Sequence, residues 1–109
     1  MRGGWVYIMS NRYRGTLYIG VTCHIAGRSF QHRDKTGSDF CRRYDLTRLV
    51  YADFTENIAD AIAREKAMKK WRRAWKIELI ERANPNWLDL FETLNGAPEE
   101  KAGSPLSRG

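Results

Sequence analysis

The stretch WVYIMSNRYRGTLYIGVT, residues 5 to 22, constrains the fold more than any other part of the chain. Residues Gly4 to Met9 and Thr16 to Thr22 alternate in character and are rich in Val, Ile, Tyr and Trp, residues that suit a pleated, half-buried strand. Between them, SNRYRG supplies turn chemistry in Ser10, Asn11 and Gly15. The pattern predicts a β-hairpin. Side chains alternate sides along a strand, so Val6 and Ile8 share a face with Leu17, Ile19 and Val21, and this is the natural core face. Trp5, Tyr7 and Met9 share the other face with Thr16, Tyr18, Gly20 and Thr22. Both central tyrosines fall on that second face.

Beyond the hairpin, HIAGRSFQHRDK reads as a short helix, with Ile25, Ser29 and His32 along one side and Arg28 one turn before His32. TGSDFCRRYDLT reads as mostly loop, and RLVYADF, residues 48 to 54, as a third strand. Thr55 is the expected N-cap of a helix reaching about Ala67 or Met68. A break follows, then a second helix through Trp75 to Arg82, closed by Pro85. Residues 1 to 93 are read as one domain and 94 to 109 as a disordered tail, because NGAPEEKAGSPLSRG is small, polar and interrupted by Pro and Gly.

A chain of 109 residues supports one domain with a modest core. Its formal net charge is +6. From Thr93 onward Glu99, Glu100, Lys101 and Arg108 cancel, so the whole excess sits on residues 1 to 92. A basic domain of this kind implies a polyanionic partner, with nucleic acid first. No apolar run approaches the roughly 18 residues of a membrane span. Without a signal-peptide pattern, the expectation is a cytoplasmic protein with no membrane partner. Cys23 and Cys41 are expected as reduced thiols, and with His24 and His32 they lack the close pairs of a zinc site.

The helix after Glu56 carries an anomaly. At about 100° per residue, Ile58, Ala61, Ile62, Glu65 and Met68 fall in one stripe, with a carboxylate in the middle of it. An ionised carboxylate in apolar surroundings requires a cation or a proton. The plain reading is a salt bridge to one of the basic residues between Arg64 and Arg82. The sharper reading is a divalent metal, since one carboxylate plus waters and phosphate oxygens suits Mg²⁺.

These residues resemble the GIY-YIG nucleases, a family that includes the N-terminal nuclease of the bacterial excinuclease C subunit and intron-homing endonucleases. WVY at Trp5 to Tyr7 stands in the first half of the motif and YIG at Tyr18 to Gly20 in the second, at the family's spacing. GRSFQH resembles the arginine segment, which puts Arg28 in the catalytic arginine position. AIAREKAMKKWRRAWKIELIERANPNW resembles the glutamate helix and tail of the small single-domain members, which puts Glu65 in the metal-ligand position. The likeness covers about residues 4 to 91. It implies an α+β fold, a three-stranded antiparallel sheet flanked by helices, with Tyr7, Tyr18, Arg28 and Glu65 converging on one sheet face.

The resemblance also implies a chemistry, a metal-dependent DNA endonuclease acting in DNA repair or processing. Glu65 would hold one Mg²⁺ or Mn²⁺, and Arg28 would clamp the scissile phosphate through paired hydrogen bonds. Tyr7 or Tyr18 would relay or accept the proton of the attacking water, with His32 as the second base. Gly20 would admit phosphate or metal by its small size. Asn84 is either a late site residue or a helix-ending Asn-Pro turn. Trp71 and Trp75 are read as core. Lys69, Lys70, Arg72 and Arg73 form the expected DNA-backbone patch, because a solvated face rarely needs four cations in five positions. With no separate recognition domain, the expected cleavage is structure-directed or weakly sequence-specific, and stronger specificity would require a homodimer or a protein partner. RNA is a second possible substrate. The competing function is a non-catalytic nucleic-acid-binding module on the same scaffold.

Overall fold

The computed structural model describes residues 3–33 and 39–94. Strands β1 (Gly4–Ser10) and β2 (Leu17–Thr22) pair antiparallel as the alternation predicts, with Tyr7 opposite Gly20 and Met9 opposite Tyr18. Asn11 organises the turn by accepting the Thr16 amide proton on its side-chain oxygen at 3.0 Å. A Cβ at Gly15 would collide with that same Asn11 side chain, so the turn requires glycine there.

Strand β3 (Arg48–Thr55) pairs antiparallel with the free side of β1, giving the order β2-β1-β3. The register slips between Ile8 and Met9, which face Tyr51 and Leu49, and Val50 is the extra residue. Leu49 consequently enters one core while Val50 and Tyr51 both enter the other.

Among the described residues the helices are α1 (Ile25–Arg33) and α2 (Asp39–Tyr44) before β3, and α3 (Ile58–Lys69), α4 (Arg73–Ala83) and the single turn α5 (Phe91–Leu94) after it. On one sheet face, Val6, Ile8 and Ile19 pack with Val50, Tyr51, Ala61, Met68, Ile80 and Trp87. On the other, Tyr7 and Met9 pack with Ile25, Cys41, Leu46 and Leu49. Each fully buried Leu, Ile or Met adds about 1.5–3 kcal/mol of transfer free energy. The tyrosine face is thus a second core. Sequence alternation marks one face as apolar, but it does not reveal that aromatic rings on the opposite face are roofed by α1 and α2.

Three expectations change. The segment read as loop contains α2, a six-residue helix held by packing rather than propensity: Cys41 is buried, and Asp39 pairs with Arg42 at 2.6 Å. The N-cap of α3 is Asn57, whose side-chain oxygen accepts the Ala59 amide proton at 2.8 Å. Thr55 stays in β3 and donates its hydroxyl to the Asn57 carbonyl at 3.1 Å. Beyond Pro85 the chain forms one more turn, α5, and the expectation of a disordered tail falls on residues outside the described ones from 95 onward. Cys23 and Cys41 form no disulfide. Among the described residues no helix is long and apolar enough to cross a membrane.

Candidate active site

Tyr7 sits on the central strand, 1% exposed, with its ring over Gly20 of the neighbouring strand. A Cβ added at Gly20 would come within 2.5 Å of the Tyr7 hydroxyl oxygen. The small residue read as room for phosphate or metal thus makes room for this phenol. The hydroxyl lies 3.1 Å from Nε2 of His32, which is 2% exposed on α1. Ile25, fully buried two turns earlier, anchors the same helix face. Tyr18, on the edge strand, completes the group with ring centroids 6.4 Å from Tyr7 and 5.7 Å from His32. Arg28, one turn before His32, stands near enough for its charge to act on the Tyr7 phenol, and it lines an open depression with Thr22, Cys23, His24, Gly27 and Gln31.

The environment sets the proton affinities. Burial raises the Tyr7 phenol well above its ordinary value, Tyr18 adds to the rise, and the Arg28 guanidinium opposes it. Burial lowers the His32 pKa to about 4, with the positive charge of Arg28 contributing, so the imidazole is neutral at physiological pH. Its Nδ1 is buried with no hydrogen-bond partner among the described residues. With the proton on Nδ1, Nε2 offers its lone pair to the Tyr7 hydroxyl.

Glu65 stands in the other layer, on the helix that covers the sheet face opposite Tyr7, and not on the tyrosine face where the resemblance put it. Its helix α3 covers the first core through Ala61 and Met68, and its side chain is only 12% exposed. The cation demanded by that position is Lys69, whose Nζ lies 2.6 Å from Oε2. The hydrogen bond that Lys69 donates to Glu65 raises the Lys69 pKa, and Tyr18 adds to the effect. Lys69 also lines a depression with Leu17, Tyr18, Ile19, Phe40 and Lys76, so the ammonium bridges the glutamate and the tyrosine edge. Among the described residues no group of three or more His, Cys, Asp or Glu side chains is gathered for a metal. A lone, largely shielded carboxylate already organised around a positive charge fits one hydrated divalent ion that completes its shell with water and phosphate. Lys69, its present partner, is half exposed.

The basic run divides between solvent and the protein itself. Lys70 caps α3 and is exposed. Arg72 precedes α4 with its guanidinium 4.9 Å from the Trp75 ring centroid. Arg73 is exposed but engaged by the protein, donating to the carbonyl oxygens of Arg14 and Gly15, the latter at 2.8 Å. Nearby, Arg14 forms a bidentate pair with Glu81, both bonds 2.7 Å, and Trp87 donates its indole N–H to the same carboxylate. These contacts clamp the hairpin turn to α4. Trp71 packs partly against the first core, but Trp75 is 49% exposed, which corrects its reading as core. The break at Trp71 re-aims α4, so spacing counted through it does not hold.

Asn84 is the C-cap residue of α4. Its amide group donates to the carbonyl oxygens of Val50 and Leu88, at 3.0 and 2.9 Å, and accepts the Leu88 amide proton at 3.0 Å. It therefore satisfies the bulge carbonyl and closes the Asn-Pro turn. Two residues beside Tyr18 were not read from the sequence: Phe40, in the segment taken for loop, and Lys76, across the helix break from Lys69. Lys76 lies on the far side of that break, so no helical spacing from Lys69 reaches it, and none reaches Phe40.

Residues 3–78 match the family model described as the GIY-YIG catalytic domain. A UPF0213 protein of Clostridium perfringens is 34% identical over 76 residues, covering 70% of this chain and 81% of that protein. A UPF0213 protein of Syntrophus aciditrophicus is 31% identical over 86 residues, covering 78% of this chain and 97% of that protein. No solved structure matches. On this sheet, with a strand-borne tyrosine pair beside an arginine helix, the chain belongs to the GIY-YIG family, nuclease-type domains of which this is a small member.

Proposed function

We propose that this protein is a metal-dependent endonuclease that hydrolyses phosphodiester bonds in DNA, structure-directed or weakly sequence-specific, and serving repair or processing in the cytoplasm. The observation that carries this reading is the Tyr7 hydroxyl held 3.1 Å from the neutral imidazole of His32, within reach of Arg28. A scissile phosphate seated on Arg28 brings an attacking water to the Tyr7 hydroxyl. As that water loses a proton to the phenol oxygen, the phenol passes its own proton to Nε2 of His32. Tyr7 never needs to be ionised beforehand, which its buried position disfavours. The anionic phosphate also offsets the Arg28 charge, so His32 becomes a better base once substrate is bound.

Glu65 is the proposed ligand of Mg²⁺ or Mn²⁺, with Lys69 displaced toward the backbone phosphates. Such an ion, when bound, supplies charge stabilisation for the non-bridging and leaving oxygens. Arg28 holds the pentacoordinate centre through its fixed fork of donors. Tyr18, whose ring stands beside both Tyr7 and His32, orients the phenol and imidazole. Lys70 and Arg72 supply phosphate contacts around the site, and Lys69 joins them when it leaves Glu65. Gly20 serves DNA binding indirectly, by admitting the Tyr7 ring.

The test is incubation of the purified full chain with duplex, flap, branched and single-stranded DNA, and RNA counterparts, in Mg²⁺, Mn²⁺ or EDTA. Cleavage with either metal and none in EDTA is expected. Salt-dependent binding without cleavage on every substrate would instead establish a non-catalytic binding module.

A further inference from the structure

Helix α2 presents a surface that the hydrolytic chemistry does not use. Phe40 is 42% exposed and stacks on Tyr18, with centroids 6.1 Å apart and planes 28° from parallel. Tyr44, 46% exposed, packs against Phe40 at 4.8 Å. The row continues inward, since Tyr18 also contacts Tyr7 at 6.4 Å. Beside it, the open depression of about 300 Å³ lined by Phe40 and Tyr18 is flanked by the ammonium groups of Lys69 and Lys76. Exposed aromatic rings between cations combine the two features that hold an unpaired strand: a face for a base and charge for the phosphates on either side.

We propose that Phe40, buttressed by Tyr44, is a stacking platform for an unpaired DNA base adjoining the scissile phosphate, with Lys69 and Lys76 holding neighbouring phosphates. The platform rests on the nuclease reading for what lies beside it, but not for binding itself. Bases inside a duplex are stacked on one another and expose no ring face, so a base reaches Phe40 only from a single strand, a flap, a gap or a frayed end. Tyr18 stands between platform and phenol, so a base on Phe40 sets its phosphate toward Tyr7 and Arg28. The selectivity of the site is then for unpaired DNA rather than for a base sequence, because every base has a ring face to stack.

The experiment is equilibrium binding of the full chain in EDTA to fluorescent oligothymidylate, to an abasic deoxyribose-phosphate chain of equal length, and to a duplex. Phe40→Ala is expected to weaken oligothymidylate binding about 5- to 100-fold, the range of one lost base stack, and to leave the abasic chain and the duplex unchanged. Phe40→Trp keeps the affinity and gains fluorescence that oligothymidylate quenches and the abasic chain does not. Equal weakening of all three probes by Phe40→Ala, or no weakening of any, overturns the platform. If Phe40→Ala fails to fold, the Phe40→Trp signal decides alone, and no base-dependent quenching overturns it. Base-dependent binding by a chain that cleaves nothing in any metal removes the nuclease reading and leaves the platform standing. Metal-dependent cleavage by a chain indifferent to Phe40 does the reverse.

Discussion

The hydroxyl of Tyr7 lies 3.1 Å from Nε2 of His32, a bond between the central strand and the first helix with both residues almost fully buried. Twenty-five residues separate the two in the chain, and Gly20 on a third element leaves the space in which they meet. Tyr7→Phe is expected to lower cleavage by about 10²- to 10⁴-fold, as is His32→Gln. If the pair works as one relay, the double variant is no slower than the slower single one. Tyr7→Phe also leaves a buried imidazole nitrogen without its partner, costing about 1–3 kcal/mol in denaturant melts. Multiplying defects in the double variant would dissolve the relay.

The pH dependence follows from the sign of the His32 shift. Its folded pKa of about 4 lies below the ordinary value of 6.5, so the unfolded chain takes up a proton first as pH falls. The stability it contributes is fully present above pH 6.5 and lost as pH drops toward 4, about 3 kcal/mol in all. In kinetics, kcat/KM reports the free enzyme, so its acid limb attributable to His32 is expected near pH 4 rather than 6.5. The limb in kcat should lie higher, because bound phosphate offsets Arg28. An acid limb at 6.5 in kcat/KM would mean that His32 is neither buried nor paired as described.

Glu65→Gln is expected to abolish metal-dependent cleavage, a loss of at least about 10²- to 10⁴-fold. Its partner Lys69 is 54% exposed, so losing the pair frees that ammonium to water and costs only about 0–1 kcal/mol. Thermal melts without metal should nearly overlay those of the parent. A variant that still cleaves at the parental rate would leave Glu65 as a salt-bridge partner and nothing more.

Gly20→Ala tests the space over the phenol. The added methyl would meet the buried Tyr7 ring 2.6 Å from its Cζ and displace it from His32. A cost of about 1–3 kcal/mol in stability, as for other overpacked cores, should accompany a fall in cleavage. Unchanged melting and unchanged rate together would show that the ring moves without consequence.

The basic run should separate in salt titrations of duplex binding. Lys70→Ala and Arg72→Ala are each expected to flatten the slope of log affinity against log salt by about 0.9. Arg73→Ala should leave the slope alone and lower stability by about 0.5–1.5 kcal/mol, because its guanidinium holds the hairpin carbonyls. A slope change from Arg73→Ala would place that side chain at the DNA.

The local signals that determine the sheet and its flanking helices are written in the chain itself. A two-residue period in each strand between Gly4 and Thr22 decides which side chains share a face, so Tyr7 and Tyr18 lie on one side of the hairpin before any folding is considered. The helical period likewise isolates Glu65 in an apolar stripe and demands a cation for it. What the period does not carry is the other side of each contact. That the tyrosine face is a second core, that Asn84 answers the carbonyl of a bulged Val50, and that Arg73 turns toward the hairpin depend on elements distant in sequence. The short helix α2 has too few residues to show a pattern, and it exists because Cys41 is buried against the sheet. Local propensity and periodicity act within a few residues, whereas burial and hydrogen-bond satisfaction are settled only when strands and helices meet. The proton affinities of Tyr7 and His32 belong to that second kind, since desolvation by the assembled fold sets both.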